Sequence, residues 1–81
     1  MQANISIENL KVENVWFNQH KVFFDLVQGL TVGAPIHWFP RLANATPAQR
    51  DNWRLIGNGT GVHWEEIDED LSAEGMFTFQ K

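Results

Sequence analysis

The sequence contains no cysteine. That excludes a disulfide staple, a thiolate nucleophile, a cysteine-ligated zinc and an iron–sulfur cluster, and it leaves packing to stabilise the chain. Long apolar runs are also missing. Proline, glycine and charged residues break every hydrophobic stretch well short of the ~20 residues that a membrane span needs, and no basic flank with an apolar run marks the N-terminus. The chain therefore reads as soluble and cytoplasmic, with no membrane partner. Serine is scarce, with only Ser6 and Ser72 present. Neither stands in a Gly-x-Ser-x-Gly elbow, which disfavours acyl transfer, and Ser72 after Asp70-Leu71 reads as a local cap.

The 81 residues (9.3 kDa) leave room for a single domain, 1–81, with one core, since chains of this size bury only about 60% of their unfolded surface. Hydrophobic residues make up 43% and charged residues 20%, a globular composition. Four tryptophans and six phenylalanines are the main packing resource. Charge is split along the chain. Residues 1–61 carry four acids against five bases, a net of +1, whereas 62–81 carry six acids (Glu65, Glu66, Asp68, Glu69, Asp70, Glu74) against Lys81, a net of −5. An acidic end repels phosphate, so direct nucleic-acid binding is not expected, and a basic partner is. Six acids are too few to trace a phosphate path, which weakens a reading as a nucleic-acid mimic.

Val12 to Phe17 is β-branched and aromatic, Asn18-Gln19 is turn-like, and Val22, Phe24 and Leu26 alternate with Lys21, Phe23 and Asp25. Gln28-Gly29 supplies a second turn, Leu30-Thr31-Val32 returns, and Pro35 ends the ladder. These residues predict a three-stranded antiparallel meander. Ile5 and Ile7 suggest an additional N-terminal strand that ends or bulges near Glu8-Asn9. Thr46-Pro47-Ala48-Gln49 carries a capping-box pattern with proline at the first helical position. The pattern predicts a helix over 47–56, stopped by Gly57, with Trp53 and Ile56 packed on the sheet and Arg50 and Arg54 in solvent. Val62-His63-Trp64 reads as a short strand, and Leu71 to Gly75 as a helical turn or irregular tail. The fold class expected is α+β, a small antiparallel meander packed against one main helix. Trp53 and Trp64 are expected in the core, as are Trp38 and Phe39.

The stretch Pro35-Ile36-His37-Trp38-Phe39-Pro40-Arg41-Leu42, then Ala45-Thr46-Pro47, Gln49-Arg50, Asn52-Trp53, Leu55-Ile56-Gly57, Gly59-Thr60-Gly61-Val62-His63-Trp64 and Ile67-Asp68-Glu69-Asp70-Leu71-Ser72 resembles the bacterial domain-of-unknown-function family 2442 over residues 22 to about 77. Two positions depart from the family pattern: Gln28-Gly29-Leu30 stands where Asp-Gly-Arg is usual, and Glu65 where proline is usual. The resemblance implies a small α+β domain with an accessory or antitoxin-like role. Its implied partner is the product of a neighbouring toxin-like gene.

Gly57-Asn58-Gly59-Thr60-Gly61 lacks the lysine and the strand-to-helix setting of a phosphate cradle, and reads as a structural loop reversing over Trp53 or Trp64. His63 with Asp68 and Asp70 could supply nitrogen and oxygen ligands to a metal, although no regular ligand spacing is present. Glu65, Glu66, Asp68, Glu69 and Asp70 surround Trp64 and Ile67, so part of the acidic run must fold onto the core and fix its carboxylates. Fixed acids beside an aromatic suit an arginine or lysine of a partner. The function expected is non-catalytic and without cofactor: a module binding a basic protein through Trp64, Glu65, Glu66, Asp68, Glu69 and Asp70. The alternative is a metal-dependent enzyme or metal-binding domain built on His63, Asp68 and Asp70.

Overall fold

The computed structural model describes residues 9–78. The suggested strand around Ile5 and Ile7 lies outside them. Strands β1 (Val12–Phe17), β2 (Lys21–Leu26) and β3 (Thr31–Pro35) form the expected antiparallel meander. Trp16 pairs with Phe23 and Phe23 with Gly33, and the β1–β2 register shifts once between Val12 and Asn14. At the first turn the Asn18 side chain accepts from the backbone N–H of His20 (2.8 Å) and Lys21 (2.7 Å). This is the self-bonding geometry for which asparagine is favoured in turns. Gly29, at φ +95°, closes the second turn.

The chain then leaves the sheet through a 3₁₀ turn (Ile36–Trp38) and two short helices, α1 (Pro40–Ala43) and α2 (Pro47–Asp51). The capping box is present at α2. Thr46 Oγ1 accepts from the Gln49 N–H (3.1 Å) and Gln49 Oε1 accepts from the Thr46 N–H (2.9 Å).

The expectation of one main helix over 47–56 fails. Among the described residues no helix reaches seven residues, and α2 ends at Asp51. Asn52 turns out of helical geometry (φ −97°, ψ 69°). Trp53–Ile56 is instead a strand, β4, paired antiparallel with β5 (Gly61–Trp64), which pairs in turn with β6 (Glu69–Ser72). The physical reason lies in the link. Gly57 (φ +60°), Asn58 (φ +62°) and Gly59 (φ +93°) are all left-handed, and such a run reverses a strand as a hairpin. Gly57 therefore caps no helix, and the loop joins β4 to β5 at the end of the ladder opposite the paired Trp53 and Trp64. Six residues of helix α3 (Ala73–Thr78) follow β6, and Ser72 Oγ accepts from the Gly75 N–H (2.8 Å) as its cap.

The architecture is α+β, with two small antiparallel three-stranded sheets and short helices. One buried cluster joins them: Val15, Val22, Phe24 and Leu26 from the first sheet, Val62 and Trp64 from the second, Phe39 and Leu42 from the connection, and Ala73 and Met76 from α3. Trp64 has no exposed surface, whereas Trp53 and Trp38 are only half-buried and pack on the cluster from its rim. The Trp64 indole N–H donates to the carbonyl of Arg50 (3.0 Å), so its polar edge is satisfied where no water reaches it. Arg50 is not a solvated side chain. Its Nε and an Nη donate to the carbonyls of Leu42 (2.9 Å) and Ala43 (3.0 Å), and its guanidinium lies 5.7 Å from the centre of the Phe17 ring.

Truncating Trp64 to alanine removes the largest fully buried side chain and is expected to cost about 3–5 kcal/mol. Trp53→Ala, at the half-buried rim, is expected to cost less. Urea denaturation of the two variants measures the difference, and equal losses would contradict this placement of the core.

Candidate functional site

The acidic segment is a hairpin. Residues 65–68 form the turn between β5 and β6, closed by Asp68 at φ +55°, a left-handed position that aspartate tolerates better than most residues. Ile67 is half-buried against the core and pins the tip. Trp64 lies inside the core, so it anchors the segment and offers no face to a partner.

Each turn carboxylate is held by a neighbour. Glu65 accepts from an Arg54 Nη (3.1 Å) and contacts His63 Nε2 (3.1 Å). Glu66 accepts from Gln49 Nε2 (3.2 Å). Arg41 donates to the Asp68 backbone carbonyl and stands 3.7 Å from its carboxylate. Both members of the Arg41–Asp68 and Arg54–Glu65 pairs are exposed, where an ion pair contributes about 0–1 kcal/mol. These contacts orient the turn more than they stabilise the chain.

Register separates the two acids of β6. Arg54, His63 and Asp70 lie in one cross-strand row, and Trp53, Trp64 and Glu69 in the next. Asp70 faces solvent and bonds His63 Nδ1. Glu69 shares the side of the sheet that carries Trp64, and burial pushes its carboxyl above the ordinary 4.5, opposed by the charge of Arg41. β6 is an edge strand, and a groove of about 370 Å³ runs along it, walled by Trp38, Phe39, Pro40, Leu71 and Met76 together with Glu69 and Asp70. Of the adjacent aromatics, Phe39 is buried and Trp38 is half-buried on the groove, so the expectation that both are buried holds for Phe39 alone. The pair of rings meets edge to face (centroids 6.5 Å apart, planes at 72°).

The structure does not gather His63, Asp68 and Asp70 into a ligand set. Asp70 takes Nδ1 of His63, Glu65 takes Nε2 on the opposite side of the ring, and Asp68 faces Arg41. Among the described residues no three histidine or carboxylate side chains converge as a metal site. The groove residues Trp38, Leu71, Gly75 and Met76 were not expected as a site. Only the Trp38-Phe39 doublet carried a signal, because adjacent large aromatics before a helix cannot both turn inward if the segment is extended.

The hydrogen bond to Asp70 raises the His63 pKa above its ordinary 6.5; desolvation opposes the rise, and the charges of Asp70 and Glu65 add to it. The folded state thus holds the proton more tightly than the unfolded chain. Its contribution to stability is complete below about pH 6.5 and is lost as pH rises through the folded-state value. The melting temperature is expected to fall between about pH 6 and 8, and His63→Gln is expected to flatten that slope. A parent slope equal to the variant's would remove the Asp70–His63 bond from the account.

Residues 12–81 match the model of a family described as Protein of unknown function (DUF2442). The match extends beyond both ends of the 22–77 resemblance and takes in all of β1. No protein of curated function matches the chain. A crystal structure of a protein of unknown function from Rhodospirillum rubrum is similar, with 28% identity and a TM-score of 0.73 over 86% of this chain and 87% of that one. A solution structure of an uncharacterised protein from Chromobacterium violaceum shares the fold, with 22% identity and a TM-score of 0.73 over 88% of this chain and 67% of that one. Because the family model matches from the first strand of the meander onwards, over most of the sequence, the chain belongs to the DUF2442 family.

Proposed function

We propose that this domain is a non-catalytic binding module, of the antitoxin-like or regulatory kind that the family resemblance suggests, which receives a basic segment of a protein partner along the groove at β6. The observation that carries the proposal is the position of Glu69: a carboxylate half-buried on the wall of an apolar groove, beside Asp70, in a lining that also includes Trp38. A lysine or arginine entering there meets a partly desolvated carboxylate, where charge-assisted hydrogen bonds are strongest, and an aromatic ring that attracts a cation. Asp68, Glu65 and Glu66 at the hairpin tip extend the negative field and steer a basic segment toward the groove. The −5 net charge of residues 62–81 sets the sign of that field.

The burial that raises the Glu69 pKa makes its ionised form unfavourable to the fold above the ordinary carboxylate range, so Glu69→Gln is expected to leave the melting temperature at neutral pH unchanged or raised. The same substitution removes a charge-assisted bond worth about 1.5–3 kcal/mol and is expected to weaken binding of an arginine-containing peptide roughly tenfold or more. The check is a titration of the isotope-labelled parent and variant with a basic peptide and with its acidic counterpart. In the parent the basic peptide should move the amides of 69–72 and the Trp38 indole. Equal responses to both peptides, or binding unchanged in the variant, would overturn the proposal.

A further inference from the structure

The outer face of the meander carries an aromatic platform that the core does not use. Register places Trp16, Phe23 and Gly33 in one row across β1, β2 and β3, on the side opposite Val15, Val22, Phe24 and Ala34. Trp16 stacks on Phe23 with ring centres 4.1 Å apart and planes 14° from parallel. A Cβ on residue 33 would stand 2.6 Å from the Phe23 ring, so glycine is what lets that ring lie down over β3. The Trp16 indole N–H donates to Asp25 Oδ1 (3.1 Å), which also accepts from Thr31 Oγ1 (2.8 Å). Trp16 is thus held in one orientation on two sides, yet 42% of its surface is exposed. A rigid tryptophan that has already lost its rotamer freedom is the kind of residue that dominates interfaces.

The charges beside it say what covers it. Lys21 and Asp25 lie on this same face, at opposite ends of β2, with Phe23 midway between them. Four residues of strand separate them by about 13 Å. When two such faces meet about a two-fold axis that lies between the sheets, perpendicular to the strands and level with Phe23, Lys21 of each copy stands over Asp25 of the other and the aromatic rows meet at the centre. This is the self-complementary arrangement of an isologous contact. An axis along the strands would oppose Lys21 to Lys21 and is excluded by charge. Asp25 has capacity for the contact: Oδ1 takes the two close donors, while Oδ2 receives only Asn14 at 3.5 Å.

We infer that the outer face of β1–β3, centred on Trp16 and Phe23, is a docking surface for a second copy of this chain, with Lys21 and Asp25 exchanging ion pairs across a two-fold axis. The face spans three strands of five or six residues, less than a permanent interface of about 800 Å² per partner occupies, so the dimer is weak and depends on concentration.

Sedimentation equilibrium and the concentration dependence of amide shifts in the full chain test the inference. The parent is expected to self-associate, with shifts at Trp16, Lys21, Phe23 and Asp25 that grow with concentration. Lys21→Glu is expected to weaken self-association several-fold, and restoring the pair with Lys21→Glu plus Asp25→Lys is expected to recover it. Asp25 also holds Trp16, so the double variant is first checked for an unchanged Trp16 ring-current signature. If it has lost that signature, mixing Lys21→Glu chains with Lys21→Glu/Asp25→Asn chains replaces it, and self-association weakened further by loss of the Asp25 charge would contradict the ion-pair geometry. A monomer at every concentration, or association indifferent to Lys21→Glu and to Trp16→Ser, overturns the inference and leaves the platform to a different partner.

Discussion

The arrangement of this small protein depends on one satisfied polar group in its core. Trp64 sits on the central strand of the second sheet with no solvent contact, and its indole N–H must find an acceptor or lose the free energy of a buried unpaired donor. It finds the carbonyl of Arg50, at the last turn of α2. Arg50 in turn spends its guanidinium on the two carbonyls at the end of α1 and covers Phe17 of the first sheet. One residue therefore fastens two short helices and both sheets. Helices of four and five residues have no stability of their own in water, and these persist because the bond from Trp64 and the capping box hold their ends.

The site inherits its geometry from that fastening. With α1 and α2 fixed, Arg41 and Gln49 stand over the hairpin tip and engage Asp68 and Glu66. The contacts are exposed and individually weak, but they leave four carboxylates, Glu65, Glu66, Asp68 and Asp70, facing outward along one edge instead of letting a repelling run fray. Glu69 is the exception, because strand alternation turns it toward Trp64 and the groove. Desolvation of an acid is a cost to the fold, and a cost retained at the wall of a groove motivates the reading of that groove as a place where a cation completes the pair.

Much of this was legible in the residues. Alternation specified the meander, with β2 running over the alternating residues Lys21 to Leu26, and the Thr46-Gln49 box marked the start of α2. The clustering of acids around Trp64 and Ile67 pointed to a segment folded back onto the core, but not to the strand β6 that makes it a hairpin. The course of 53–56 was misread because Trp53 and Ile56, three apart, satisfy a helical face and a short strand equally well, and four residues cannot separate the two periods. What decides it is nonlocal: Val62, His63 and Trp64 offer a ladder partner, and a pairing across a turn is worth more to these residues than another helical turn. Asn58-Gly59 between two apolar runs was the local signal of a hairpin, and the strength of the capping box masked it. The groove was not legible, since its walls come from residues 38–40, 69–72 and 75–76 and only tertiary packing brings those segments together.

The two surfaces lie on different sheets, and that separation has a mechanical consequence. The aromatic platform occupies the outer face of β1–β3, while the groove with its two acids runs along β6, an edge strand of the second sheet. The two share no residue, so their occupants do not compete for the same atoms. A dimer formed through the platform would carry two acidic grooves, and a partner with two basic segments would bind both with the gain in effective concentration that linkage provides. Weakness of the dimer is then an advantage for regulation, because the bivalent partner itself shifts the monomer–dimer balance by binding the paired form more tightly. Neither surface includes Trp64 or Arg50, although Phe39 and Met76 of the groove wall also belong to the buried cluster.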